Sequence, residues 1–328
     1  MSMDLSGRDV RRATALPGLA VDGYLPHALH GGDAHWLEKN CYVDLWIELL
    51  HAQGLDPHAL WPAAVALDFE GDQWTFLKPP HGELRALYGI DVQELTVWRP
   101  LSGHAIEHLG AGRPLSIEAD AFWLPDTAGT DYHQNHTKTT IVLNEVDLDA
   151  RRIAYFHNAG YFEARDDDVT QLLAGGPLPL YAEFIRTDRR VARSTEELQM
   201  LALQHLVDHL AFLPATNPVR RFAARLADDL PLLREYGLGY YHQWAFGTVR
   251  QLGAAFELAA RGLAWQGAPA GSPLHDAARA FDRVARDSKT LILKLARAVA
   301  SPRPADLSPL LDGMAQAWDE GMAALDAA

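Results

Sequence analysis

Two textures of hydrophobic patterning divide the chain near residue 190. Before it, short apolar or alternating runs are broken by Gly, Pro, Asn and Asp, at 64–78, 114–120, 138–147 and 151–163. Alternation with a period of two predicts half-buried strands, and 148–152 (LDARR) reads as the hairpin connection between the last two. From Ser194 onward apolar residues recur at helical spacing. Ser194 followed by Glu197 predicts a capping box at the start of the first helix. Further helical stretches are expected at 217–236, 241–266, 272–300 and 307–328. The expected fold class is therefore α+β, with a mixed domain over 20–190 and a helical domain over 191–328 packed against it. The segment 174–184 (AGGPLPLYAEF) is the boundary candidate.

Composition narrows the class. The 328 residues are 48% hydrophobic and 22% charged, with nine Trp, which suits a globular protein and not a disordered one. A formal charge of -14 repels polyanions, so nucleic acid is not expected as a partner. The first 18 residues hold no apolar run resembling a secretory signal, and there is no span of about 18 apolar residues to cross a membrane. These observations predict a cytoplasmic protein. The single cysteine excludes an intramolecular disulfide, a zinc finger, an iron–sulfur cluster and a paired-thiol redox motif.

That cysteine, Cys41, precedes a run over 42–53 whose apolar residues fit a mostly buried helix ended by Gly54. Asn40 is a suitable N-cap, which sets Cys41 at the first helical position. Unpaired N–H groups and the positive end of the helix dipole there favour a thiolate and an adjacent oxyanion. The competing interpretation is a small buried hydrophobe. A nucleophilic cysteine needs a base and a group that orients the base. His133 and His136 stand just ahead of the strand at 138–147, and Asn158 lies in the next run. Hairpin pairing of those runs would bring His136 near Asn158, as in a Cys-His-Asn triad. Ordinary loop and turn roles for these residues are the alternative.

The order of parts resembles a papain-like fold: a cysteine at a helix start, GRPLSIEAD at 112–120, then His-strand-turn-strand-Asn. It resembles in particular the N-terminal family of butirosin biosynthesis protein H, acyltransferases that take an acyl group from a carrier protein. The segments HTKTTIVLNEVD and YFHNAGYF, with FGTVRQLGAAFELAARGL and KTLILKLARA, are similar to the domain of unknown function 1839 family over most of the chain. The resemblance implies handling of an acyl or aminoacyl group carried as a thioester. Its implied roles are Cys41 as nucleophile, His136 as base and Asn158 as orienter, with no cofactor beyond the partner's phosphopantetheine arm.

Three positions depart from the papain-like pattern. The residue six before the cysteine, often a Gln that binds the oxyanion, is His35, so Asn40 or His35 would fill that role. Thr137, Lys138 and Thr139 separate His136 from the strand body, which leaves His133 as a rival base. The orienter is Asn158 where related acyltransferases carry Asp. Asp120, which ends GRPLSIEAD, is a further oxyanion or substrate candidate.

In the helical half, Phe281, Val284, Leu291, Ile292, Leu295 and Val299 fall on one face of 276–300. Arg279, Arg283, Arg286, Lys294 and Arg297 lie opposite, in an arc of roughly 80°. This stripe would dock an acidic carrier protein or its phosphate, or else pair with Asp282 and Asp287 as a solvated face. His242, Arg250 and Glu257, at near-seven-residue spacing, are pocket-lining candidates or a buried polar network. Three functions follow. The first is a cysteine acyltransferase, or a thioesterase or amidohydrolase, with a small acyl acceptor. The second is a zinc hydrolase built from His133, His136 and Asp131 with His27, His30 or His157. The third is a non-catalytic scaffold that binds carrier proteins.

Overall fold

A computed structural model describes residues 10–174, 180–301 and 306–328. Residues 1–9 of the N-terminal stretch, and 175–179 within the expected boundary segment, lie outside the described residues. In chain order the first elements are β1 (Arg12–Thr14), α1 (Cys41–His51), β2 (Phe69–Glu70), β3 (Gln73–Trp74), α2 (His81–Tyr88), β4 (Asp91–Glu94) and α3 (Leu101–Gly110). They continue with β5 (Leu115–Asp120), β6 (Lys138–Asp147), β7 (Arg152–His157), β8 (Gly160–Arg165), α4 (Asp166–Ala174) and β9 (Ala182–Arg186). The last are α5 (Thr195–Leu210), α6 (Pro218–Gly247), α7 (Val249–Trp265), α8 (Pro273–Ala300) and α9 (Ser308–Asp326). The fold is α+β, sheet-rich at the N-terminal side and helical at the C-terminal side.

These elements form two compact units whose chain is interleaved. The sheet unit comprises 1–28, 41–55 and 80–192; the helical unit comprises 29–40, 56–79 and 193–328. The stretches 29–40 and 56–79, both ahead of residue 190, thus group with the helical unit. The expected strand at 64–78 belongs to the helical unit, where only the short β2–β3 hairpin is extended.

In the sheet unit the antiparallel order is β4-β9-β5-β6-β7-β8, with β1 also pairing β6. Alternation sorts the side chains. Leu115, Ile117, Ile141, Leu143, Ile153 and Tyr155 form a core with Leu101, Ala105 and Leu109 of α3 and with Val169 and Leu172 of α4. The helix α1 packs against β6, β7 and β8. Its residues 42–50 are all buried, including Asp44 and Glu48. Glu48 is tolerated because its carboxylate accepts the Tyr24 hydroxyl at 2.7 Å and the His27 N–H at 3.0 Å. Burial and that carboxylate hold the Tyr24 hydroxyl well above its usual range.

A turn at 148–151, within the expected 148–152 segment, connects β6 to β7, with Asp147 accepting the Asp149 and Ala150 N–H groups at 3.1 and 2.9 Å. The run at 151–163 is not one strand. It breaks at Asn158, whose φ of 44° sets a two-residue turn between His157 and Gly160.

The helical unit follows its periodicity closely. The capping box at Ser194 and Glu197 is formed. Phe256, Phe281, Leu291, Leu295, Met314 and Trp318 anchor a core shared by α7, α8 and α9. Two breaks refine the expected stretches: Gly237 is non-helical within α6, and Thr248 separates α6 from α7. Among the described residues no helix is long and apolar enough to cross a membrane.

Candidate active site

The site candidates of the sheet unit gather around the start of β6. Asp120 closes β5 and pairs in register with Lys138, so its side chain sits beside the incoming residues 136–138. Its Oδ1 accepts the Phe122 N–H at 3.1 Å, which fixes the carboxylate. Its Oδ2 meets His136 Nδ1 at 2.6 Å. The imidazole stacks on the Phe122 ring, with centroids 4.3 Å apart and planes 12° from parallel. A backbone bond from Ala121 to the Thr137 carbonyl, 2.8 Å, closes the excursion between the two strands. His136 Nε2 carries no hydrogen bond among the described residues, and the side chain is 70% exposed. The result is a carboxylate-held imidazole with one nitrogen directed to its partner and the other open for proton transfer.

The side chain that holds His136 is thus Asp120, where the sequence predicts Asn158. A register shift between Leu143 and Glu145 sets Val142 opposite Phe156, and β7 ends at His157. Asn158 then occupies the turn into β8, and no hydrogen bond joins it to His136 among the described residues. Sequence spacing missed this because the partner comes from the preceding strand, β5.

The rival base is also held by a carboxylate, at a longer distance and with its side chain 50% exposed. His133 Nε2 meets Asp168 Oδ1 at 3.1 Å, and the ring stacks on Tyr132, whose hydroxyl donates to Asp168 Oδ2 at 2.8 Å. Thr137 donates to Asp131 at 2.7 Å, and His157 pairs with Asp126 at 2.6 Å. Each histidine of the proposed zinc set near β6 therefore has its own carboxylate, and the set does not converge. His27 uses its backbone N–H on Glu48, and its ring lies against His51.

A third His–Asp pair was invisible in the sequence. His157 Nδ1 meets Asp126 Oδ2, the other Asp126 oxygen accepts the Tyr155 hydroxyl at 2.7 Å, and His157 Nε2 meets Thr139 Oγ1 at 2.8 Å. Burial and Asp126 push the Tyr155 hydroxyl far above its usual range. The only local sign of this network is the Tyr-x-His alternation of β7.

Cys41 stands at the first position of α1 and is partly exposed. The next residue, Tyr42, meets His81 Nε2 at 3.2 Å; burial, with Glu183 nearby, pushes its hydroxyl up to about 12. No hydrogen bond joins Cys41 to His136 or His133 among the described residues.

The remaining candidates lie in the helical unit and are engaged there. Asn40 donates to the Leu77 carbonyl at 3.1 Å and to Gln251 at 3.3 Å. His35 donates its N–H to Glu257 at 2.7 Å and meets Asp282 through Nε2 at 3.0 Å. Buried Glu257 also accepts the Trp36 N–H at 3.0 Å, while Arg250 donates to the Lys39 and Glu38 carbonyls. Arg250 and Glu257 thus anchor the 29–40 loop to α7, and no hydrogen bond joins either to His242 among the described residues. That histidine is exposed on α6, beyond the break at Thr248. On α8, Arg279, Arg286, Lys294 and Arg297 are exposed, whereas Arg283 is half-buried and pairs with Glu320.

Fold and site together define a two-unit α+β protein with an exposed His–Asp pair on an antiparallel sheet. The chain belongs to the DUF1839 family: the model of the DUF1839 N-terminal domain matches residues 25–187, and that of the DUF1839 C-terminal domain matches 195–327. No curated protein matches the chain.

Proposed function

We propose that the protein is a cysteine-dependent acyl-transfer enzyme that works through an acyl-Cys41 intermediate, with His136 as base and Asp120 as its orienter. The observation that carries this reading is the 2.6 Å bond from His136 Nδ1 to Asp120, which leaves Nε2 open. A lone cysteine at the start of a helix that packs on the same sheet supplies the nucleophile. The arrangement fits the papain-like resemblance, and through the butirosin-type acyltransferases it favours an acyl or aminoacyl thioester on a carrier protein.

The steps balance without a cofactor. His136 Nε2 takes the thiol proton, and the Cys41 sulfur attacks the thioester carbonyl. Backbone N–H groups at the start of α1 hold the oxyanion. Collapse breaks the carbon–sulfur bond to the phosphopantetheine arm, whose thiol leaves with the proton from His136. An amine, alcohol or water then attacks the acyl-cysteine and gives its proton to the same nitrogen; collapse breaks the acyl–sulfur bond, and His136 returns the proton to the Cys41 thiolate. The hydrogen bond between Cys41 and His136 that this step needs forms only when substrate is loaded. The basic face of α8 serves as the docking surface for the acidic carrier.

The test is mass spectrometry of the intact protein after incubation with loaded carrier proteins. An acyl adduct on Cys41, absent in Cys41→Ala, is expected. Turnover of the thioester by Cys41→Ala at the wild-type rate would overturn the proposal.

A further inference from the structure

The helical unit holds a groove of about 490 Å³ between α7 and α8, on the same basic face of α8 that the acyl-transfer reading uses for docking. The sequence explains why it is open: Ala260, Ala264 and Ala278 leave space where larger residues would meet. Arginines surround that space. Arg279, Arg283 and Arg286 follow one another at i, i+4 and i+7, which brings them to one side of α8. Arg261 of α7 joins them across the groove.

The charges are unevenly spoken for. Arg279 has no ion-pair partner among the described residues. Arg286 has only its sequence neighbour Asp287, at 3.4 Å. Arg261 makes two long contacts, 3.4 Å each, to Glu257 and Asp33, and Arg283 pairs with Glu320. Two carboxylates also line the groove. Asp282 is held by His35 at 3.0 Å, and Asp33 is 81% exposed at the side of Arg261. Two guanidiniums with little to bind, in a concave site on a protein of charge -14, describe an anion site. Their fork of N–H donors suits a tetrahedral oxyanion better than a single point charge does.

We propose that this groove binds a phosphate group, gripped by Arg279 and Arg286, with Arg261 and Arg283 as flanking cations. The phosphate belongs either to a free phosphorylated metabolite or to the phosphodiester of a phosphopantetheine arm. The proposal deepens the docking part of the acyl-transfer reading but does not use its cysteine, so Cys41→Ala binds phosphate as the wild type does.

Isothermal titration calorimetry on the full chain at constant ionic strength tests it, with inorganic phosphate, 4′-phosphopantetheine and pantetheine as probes. Saturable phosphate binding is expected, and Arg279→Gln with Arg286→Gln weakens it by about tenfold or more. Arg279→Lys, which keeps the charge but loses the fork, gives an intermediate loss. Arg220→Gln with Arg234→Gln, removing two exposed cations of α6, changes affinity less than twofold. Circular dichroism checks that each variant is folded. Tighter binding of 4′-phosphopantetheine than of inorganic phosphate identifies the arm; equal binding identifies a free phosphate ester. The proposal is overturned if phosphate does not saturate, if the Arg279/Arg286 variant binds like the wild type, or if the α6 variant loses as much.

Discussion

The sheet unit holds two histidine–aspartate pairs with the same 2.6 Å bond, and they differ in almost everything else. His136 and Asp120 are 70% and 37% exposed, whereas His157 and Asp126 are 2% and 4% exposed. In the buried pair every directed valence is taken: Thr139 meets the second ring nitrogen and Tyr155 the second carboxylate oxygen. In the exposed pair the second ring nitrogen is open. A closed network fixes a core, because removing one member strands a polar group away from water. An open one is available to a substrate. Identical contacts therefore support different roles, decided by what surrounds them.

This contrast is most easily broken at the exposed site. Cys41→Ala should abolish the acyl adduct, and His136→Ala should slow its formation by about 10²–10⁴-fold with unfolding unchanged. Single-turnover mass spectrometry and urea melts read the two effects separately. A His136→Ala protein that acylates at full rate would remove the exposed pair from catalysis.

Next comes the buried pair, with the opposite signature. Asp126→Ala breaks a buried pair and should cost about 3–5 kcal/mol in urea denaturation, while rates per folded molecule hold. Thr139→Val should cost less, about 1–3 kcal/mol, because one neutral hydrogen bond is lost. If Asp126→Ala loses activity while remaining as stable as the wild type, the roles of the two pairs are reversed.

A smaller effect separates orientation from charge at the open site. Asp120→Asn retains the shape but weakens the hold on His136 Nδ1. A decline in acylation of about tenfold is expected from the weaker charge-assisted bond, with stability nearly unchanged for so exposed a pair. A loss confined to substrate affinity, with the acylation step untouched, would make Asp120 a binding residue only.

A third class of histidine sharpens the comparison through pH. His104 and His108 lie on α3, and neither is paired with a carboxylate by hydrogen bond among the described residues. Burial, then the positive charge of Arg99 for His104 and of Arg113 for His108, holds both below the usual histidine range. A depressed folded-state value means the unfolded chain binds more protons in that window. Stability is thus fully present above the unfolded value of about 6.5 and is lost as pH falls through the lower folded values. Thermal melts from pH 7.5 to 5 should show this decline, and His108→Phe should flatten it. An identical decline in that variant would place the acid sensitivity elsewhere.

Much of the frame was legible because it depends on neighbours in the chain. The capping box at Ser194, the amphipathic α8, the strand at 138–147 and the helix beginning at Cys41 all follow from local spacing. The errors share a cause. The run at 151–163 reads as one strand although Asn158 and Gly160 interrupt its apolar residues, and the left-handed turn falls at Asn158. His242 shared a periodicity with Arg250 and Glu257 that the break at Thr248 removes. The stretches 29–40 and 56–79 look no different from the sheet-unit sequence around them, yet they belong to the helical unit.

By itself, then, the sequence determined the α+β class, the helical half and a single thiol at a helix start. Periodicity and capping act over a few residues and are written locally. Only the tertiary structure decided which carboxylate holds His136. The antiparallel register of β5 and β6 brings Asp120 opposite Lys138 and so within reach of the imidazole. Register is a relation between distant segments, fixed by burial of one sheet face, and no spacing along the chain encodes it.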